Sequence, residues 1–262
     1  MRVREGGSVR VLFAGESKYT AIRKGALRSG QAEGIVFDVI DAADDQFGPG
    51  SVCFTTLASD DALEQSKRLL KSGCHVFLDT LLVPLQDLLQ LASVAEEAGV
   101  EVGVSRPLRY STAFAGWSEH ATIATIAAEF GDGPDSWQRC LLHTMDLCVY
   151  LCGTGNTRRV EASVERADQL WPIFAGVSLR FDNGSLALAS LRKTASGPGP
   201  TRCTITTGPV VRRLELASGT EAYQAETKDF LARVARGAPA PVSILDALAG
   251  VRLLDQVQAL LR

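Results

Sequence analysis

Five short apolar runs in the first part of the chain constrain its fold more than any other feature. They are Val9 to Ala14, Ile35 to Ile40, Val52 to Thr56, His75 to Leu78 and Val100 to Val104. Each has the length and the bounding residues of a buried strand. Between them lie helical stretches. Ala21 to Arg28 suits a short helix closed by Ser29-Gly30, and Asp60 to Lys71 a helix that Ser59 can cap. Asp60 and Asp61 then sit near the positive end of that helix dipole. Pro84 opens a helix through Glu97 in which Leu85, Leu88, Leu89, Ala92 and Ala95 form one stripe, and Gly99 stops it. Strand, helix and strand in alternation predict parallel strands joined by crossover helices, hence an open twisted sheet. Ligands of such sheets bind beyond the carboxyl ends of the strands. Those ends carry Gly15, Asp41, Thr56, Asp79 with Thr80, and Ser105 with Arg106.

A second block begins near residue 110. Its centre is the stretch Q-R-C-L-L-H-T-M-D-L-C-V-Y-L-C-G, Gln138 to Gly153, which is apolar apart from a few groups. His143 and Asp146 are three residues apart and share one face of a helix. Such a pair either satisfies itself inside a core or lines an active site. The period then changes from helical to two. Val160 to Val164 alternates, as do Val177, Leu179 and Phe181. Asn183-Gly184 supplies a tight turn, and Leu186 and Leu188 continue the pattern. After the loop A-S-G-P-G-P-T, Thr204 to Thr206 and Val210 to Leu216 form a further pair of strands around Gly208-Pro209. This reads as an antiparallel meander. Two helices close the chain, Ala222 to Arg236 and Ile244 to Leu261, the second with a capping box from Ser243 and Asp246. The expected organisation is a Rossmann-like unit over residues 1–110 and a smaller α+β unit over 111–262, with the final helices able to pack back on the first.

Composition narrows the function classes. With 262 residues the chain can bury a substantial core, and 46% hydrophobic with 22% charged residues is ordinary for a globular protein. A formal charge of -3 gives no field that would favour nucleic acid or an anionic membrane. No run is apolar enough to span a bilayer, and the start M-R-V-R-E-G-G-S-V-R-V-L-F lacks a signal-peptide layout. Six scattered cysteines read as reduced, buried thiols of a cytoplasmic protein. Cys148 and Cys152 are one turn apart near His143, but paired Cys-x-x-Cys knuckles are missing. They read as small core hydrophobes, and no metal site is expected.

Three stretches together resemble the Gfo/Idh/MocA oxidoreductases, the family that includes glucose-fructose oxidoreductase and inositol dehydrogenase. The first is K-S-G-C-H-V-F-L-D-T-L-L-V-P with the helix ending A-E-E-A-G-V-E-V-G-V-S-R-P-L-R-Y. The second is L-L-H-T-M-D-L-C-V-Y-L-C-G, which looks like the family's H-x-x-D helix. The third is the tail E-T-K-D-F-L-A-R-V-A-R-G-A-P-A-P-V-S-I-L-D-A-L-A-G-V-R-L-L-D. The resemblance implies an NAD- or NADP-linked oxidoreductase acting on a small sugar-like or carbonyl substrate. Gly15, Ser17, Asp41 and Thr56 would then face the cofactor. His143, Asp146 and Thr80 would form the catalytic set, and Arg106, Arg109 and Tyr110 would hold substrate. It also implies a homo-oligomer, because relatives use the open face of the second sheet for dimer contacts.

The sequence departs from the family at defined places. Where members carry Gly-x-Gly-x-x-Gly, this chain reads G-E-S-K-Y-T, so Ser17 and Thr20 replace glycines. A Cβ there hinders the approach of a pyrophosphate to the backbone. Asp79, Thr80 and Leu81 align with the family's Glu-Lys-Pro motif, and the Thr80 hydroxyl cannot do the acid–base work of an ammonium. A helix and strand that usually precede Val52 are replaced by the loop A-A-D-D-Q-F-G-P-G-S, and Arg139 stands where an acid often precedes the histidine. A second function class follows from these losses, a cofactor-free binding or scaffolding subunit, perhaps beside an active homologue. The alternatives for the site residues are structural. Gly15 with Ser17 can be a plain strand-to-helix turn, Asp41 a solvated strand end, and Arg106, Arg109 and Tyr110 surface charge.

Overall fold

The computed structural model describes residues 8–14, 18–28, 36–41, 48–55, 60–79, 84–115, 117, 119–153, 156–166, 172–216 and 219–261. The chain divides into two compact units, Met1–Pro107 with Gly219–Leu248, and Leu108–Ser218 with Ala249–Arg262.

The first unit contains β1 (Ser8–Ala14), α1 (Lys18–Arg28), β2 (Val36–Asp41), β3 (Val52–Thr55), α2 (Asp60–Lys71), β4 (His75–Leu78), α3 (Leu85–Ala98) and β5 (Val102–Val104). The strands pair in parallel in the order β2-β1-β3-β4-β5. This is the Rossmann-like α/β sheet expected, with five strands among the described residues. Chain order reverses at β1, which has β2 on one side and β3 on the other. A crevice forms at such a switch point, and it is where open α/β sheets take ligands.

The first core is built on one row of the pleat. Phe13, Phe54 and Phe77 come from neighbouring strands; Phe13 stacks on Phe54 at 5.1 Å between ring centroids, and Phe77 lies tilted to Phe54 at 5.0 Å. Helix α5 (Thr220–Arg236) belongs to this unit and sets Phe230 edge-on to Phe77 at 5.0 Å. Its Leu231, Val234 and Ala235 join Val9, Val11, Leu27 and Val52 in the same buried cluster. Gly103 of β5 is the small residue that permits this. A Cβ there would lie 2.7 Å from the Phe230 ring and 2.9 Å from that of Phe77. The helix α6 (Ile244–Leu260) starts with the reciprocal cap expected: Ser243 N donates to Asp246 Oδ2 at 3.1 Å, and Asp246 N donates to Ser243 Oγ at 3.1 Å.

The second unit holds β6 (Ile123–Phe130), α4 (Pro134–Cys152), β7 (Thr157–Arg166), β8 (Pro172–Phe181), β9 (Leu186–Lys193), β10 (Thr201–Thr207) and β11 (Val210–Leu216). Their order in the sheet is β11-β10-β6-β9-β8-β7. Here the sequence reading needs correction. The sheet is mixed rather than antiparallel, because β6 lies between β10 and β9 and runs parallel to β9. Strand β6 carries alanine at 124, 127 and 128, so its alternation of buried and exposed positions is weak in hydropathy and strong only in burial. It pairs with strands more than fifty residues away, a partnership that no local pattern announces. Among the described residues its six strands also outnumber the five of the first sheet.

Helix α4 starts at Pro134, whose missing N–H costs nothing at a first helical position. It covers the sheet face formed by Ala124, Ile126, Ala187 and Ala189, and residues 141–149 are buried without a break. The opposite face leaves Ile123, Phe174 and Leu188 between 38% and 39% exposed. Among the described residues no helix is long and apolar enough to cross a membrane.

Candidate functional site

The sequence-derived candidates fall into two clusters, one in each unit. In the second unit, α4 carries His143 and Asp146, which are 8% and 2% exposed. The 3₁₀ turn Pro107–Tyr110 brings Arg109 to them. Arg109 Nε donates to Asp146 Oδ2 at 2.8 Å and Nη2 donates to Oδ1 at 2.6 Å, a two-pronged pair with little solvent around it. The guanidinium lies over the Tyr150 ring at 5.1 Å, and Phe114 meets Tyr150 edge-on at 5.7 Å. Burial pushes the Tyr150 phenol above its ordinary value. The Arg109 charge opposes that shift and the Asp146 charge adds to it. Tyr150 is therefore a neutral hydroxyl near neutral pH. Tyr110 is partly exposed on the same turn. Gly250 of α6 approaches Asp146 closely enough that an added Cβ would touch its Oδ1 at 3.6 Å.

In the first unit, the carboxyl ends of β4 and β5 meet a buried guanidinium. Arg23 of α1 has no exposed surface. Its Nη2 shares two N–H groups among Asp79 Oδ1 at 2.9 Å, Ser105 Oγ at 2.9 Å and Glu226 Oε2 at 2.8 Å, and its Nη1 donates to Thr227 Oγ1 at 2.7 Å. The guanidinium faces the Phe77 ring at 4.5 Å. Ser105 Oγ donates onward to Glu226 Oε2 at 3.0 Å, and Arg106 N donates to Glu226 Oε1. Burial raises the Glu226 carboxyl above the ordinary range, against the charge of Arg23 and the hydrogen bonds from Arg106 and Ser105. The Arg23 guanidinium is raised as well. Desolvation works against its charge, and Glu226 and Asp79 more than offset it.

Asp79 and Ser105, candidates from strand position alone, are thus drawn into an internal network. Arg106 is 1% exposed, which overturns its reading as surface charge, and its Nη1 turns back to donate to Ser105 O at 2.7 Å. Asp41 is the last residue of β2. Gly15, Ser17, Thr56 and Thr80 lie outside the described residues.

Arg23, Glu226 and Tyr150 were not singled out from the sequence, although spacing contained a signal. Glu226 stands three residues after Tyr223 and four before Phe230, on the buried stripe of α5. Arg23 likewise stands three and four residues before Ala26 and Leu27, both buried. A charge on an apolar stripe calls for a buried partner, and here the two charges partner each other.

Dinucleotide binding sets local requirements that the first unit can be tested against. It requires a strand at the switch point, a short turn and then a helix amino end. β1 ends at Ala14, α1 begins at Lys18, and the first turn of α1 has no acidic residue. The strand and the helix start are in place, and the turn between them, residues 15–17, lies outside the described residues. A separate cavity of about 290 Å³ opens at the amino ends of β3, β4 and β5, where Gly73, His75, Glu101 and Gly237 line it. None of the described candidate residues lines it. His75 Nδ1 there accepts the Glu101 N–H at 3.0 Å.

No protein-family model matches the sequence, and no curated protein matches it at a significant level. Solved structures do match in fold. UDP-N-acetylglucosamine 3-dehydrogenase GnnA from Acidithiobacillus ferrooxidans aligns over 97% of this chain and 97% of its own, with a TM-score of 0.77 and 14% identity. GenD2 from gentamicin A biosynthesis, in complex with NAD, aligns over 99% and 96%, with a TM-score of 0.78 and 12% identity. The scyllo-inositol dehydrogenase from Lactobacillus casei, with bound NAD(H) and scyllo-inositol, aligns over 97% and 97%, with a TM-score of 0.75 and 11% identity. The chain therefore has the fold of these dehydrogenases, which is the fold implied by the resemblance to the Gfo/Idh/MocA oxidoreductases.

Proposed function

We propose that this chain is a Gfo/Idh/MocA-type oxidoreductase, linked to NAD or NADP and acting on a small sugar-like or carbonyl substrate. The observation that carries the reading is His143 with Asp146 on α4, inside a fold shared end to end with dehydrogenases that include NAD complexes. The crevice beside β1 would hold the dinucleotide, with Gly15, Ser17 and Thr56 near the pyrophosphate and Asp41 at the ribose. When bound, the nicotinamide supplies the hydride acceptor or donor. The chain handles the proton. His143 takes it from a substrate hydroxyl during oxidation and returns it during reduction. Asp146 sets the position of that imidazole, and Arg109 fixes Asp146 through both carboxylate oxygens. Arg106, Arg109 and Tyr110 would hold the substrate. Thr80 offers a hydroxyl where relatives present a lysine. The exposed apolar face of the second sheet supports a homo-oligomer.

The test is a thermal shift with NADH and NADPH, followed by turnover measurements. A ligand a hundred-fold above its dissociation constant adds ~2.7 kcal/mol, which a melting curve resolves. His143→Ala should abolish turnover and keep the shift. A protein unmoved by millimolar cofactor would end the oxidoreductase reading.

A second reading has its own support. Ser17 and Thr20 replace glycines, Thr80 replaces the lysine, and the Arg109 guanidinium is committed to Asp146. In that reading the chain is a cofactor-free binding or scaffolding subunit. Co-purification with an active homologue would support it, and a monodisperse single species with turnover would count against it.

A further inference from the structure

The guanidinium of Arg23 is fully buried and bonded to Asp79, Ser105, Glu226 and Thr227, and nothing in the proposed chemistry uses it. We infer that Arg23 is a positioning residue of the dinucleotide site, holding the amino end of α1 in register with the crevice beside β1. This inference rests on the dinucleotide reading above.

The argument begins with what Arg23 joins. It sits five residues after Lys18, so about 7.5 Å of helix separates it from the amino end of α1. From there it reaches Asp79 after β4, Ser105 after β5, and Glu226 and Thr227 on α5. Three elements are thereby fixed against α1 through one planar group. A buried ion network is a poor device for stability alone, since well-packed apolar residues of similar volume often do as well or better. The apolar contacts of α1 with α5 are present besides, with Leu27 in one cluster with Phe230, Leu231 and Val234. Apolar packing tolerates sliding and rotation, because it has no preferred direction. Hydrogen bonds from a guanidinium do not, because its donors are held in a rigid plane. The network therefore sets the azimuth and height of α1. Binding a pyrophosphate at a helix amino end depends on where the first-turn N–H groups point. Lysine cannot replace the arrangement. Its ammonium could stand where Nη2 meets Asp79, Ser105 and Glu226, but it has no second arm for Thr227 Oγ1 and no plane to fix the direction of its donors.

The test compares dissociation constants for NADH and NADPH, by fluorescence titration, in three full-length variants and the unaltered protein. Arg23→Lys should weaken binding about tenfold, which corresponds to about 1.4 kcal/mol. Leu91→Ala removes a fully buried side chain of α3, a helix that gives the network none of the hydrogen bonds named above, and serves as a matched loss of stability. It should leave the dissociation constant within about twofold of the unaltered value. Thr227→Val removes one acceptor of Arg23 with little change of shape. It should weaken binding about threefold, and it decides the matter if Arg23→Lys does not fold. Equal weakening in Arg23→Lys and Leu91→Ala, or unchanged binding in Arg23→Lys or Thr227→Val, would overturn the positioning role alone. An unaltered protein that binds neither dinucleotide would overturn the dinucleotide reading, and this inference with it.

Discussion

Arg109 holds both oxygens of Asp146 at once, Nε to Oδ2 at 2.8 Å and Nη2 to Oδ1 at 2.6 Å, with the two side chains 12% and 2% exposed. Pairs of this kind are asymmetric in energy. Making one gives little net stability, while removing a single partner strands a buried charge at a cost of about 3–5 kcal/mol. Arg109→Ala should therefore destabilise the second unit by about 3 kcal/mol, at the lower end because the guanidinium keeps some contact with water. Urea unfolding gives the value. A double cycle with Asp146→Asn should show strong coupling, and additive losses would mean that the pair is not formed in solution.

The Glu226 carboxyl gives the first unit a pH signature. Burial raises it above its unfolded value, so between the two values the folded chain holds a proton that the unfolded chain has released. This contribution is fully present below the unfolded carboxylate value and is lost as pH rises through the folded one. The unaltered protein should thus lose stability relative to Glu226→Gln over that window as pH increases. Parallel curves for the two proteins would show that Glu226 does not titrate as its burial implies.

His75 should give the opposite slope. Burial lowers its imidazole below the ordinary value, and the nearby Glu101 charge only partly offsets that. The unfolded chain then binds the proton first as pH falls. Stability is complete above the unfolded imidazole value and declines as pH drops toward the folded one. Proton NMR should place the His75 titration below that of a free histidine, and His75→Gln should remove this part of the acid sensitivity.

Gly103→Ala tests the packing of the first core. The new Cβ would lie under 3 Å from both Phe230 and Phe77, rings that are themselves buried. Overpacking of this kind costs about 1–3 kcal/mol. The melting temperature should fall, and Phe230→Leu in the same chain should recover part of the loss by making room.

Thiol reactivity checks the burial of both cores. Burial pushes Cys53, Cys140, Cys152 and Cys203 up to about 12, and raises Cys74 and Cys148 too. The thiolate is the reactive form, so the folded protein should label slowly with an alkylating reagent at neutral pH. All six should react promptly in urea. Rapid labelling of a cysteine in the native state would place it outside the core.

Much of this molecule is set by local pattern. Helices α2, α3, α5 and α6 and strands β3 and β4 fall within a few residues of where periodicity and capping residues put them, because amphipathic spacing and end caps act over one or two turns. The parallel character of the first sheet follows from alternation, and His143 with Asp146 from their spacing on one helix. Tertiary structure decided what those residues touch. The insertion of β6 beside β9, the closing of Arg109 on Asp146, and the gathering of Arg23, Asp79 and Glu226 from three distant segments all join positions far apart in the chain. Burial changes what such a charge costs, and burial exists only once the chain has packed. A sequence can therefore show which side chains are able to do chemistry, and the fold assigns each of them its partner.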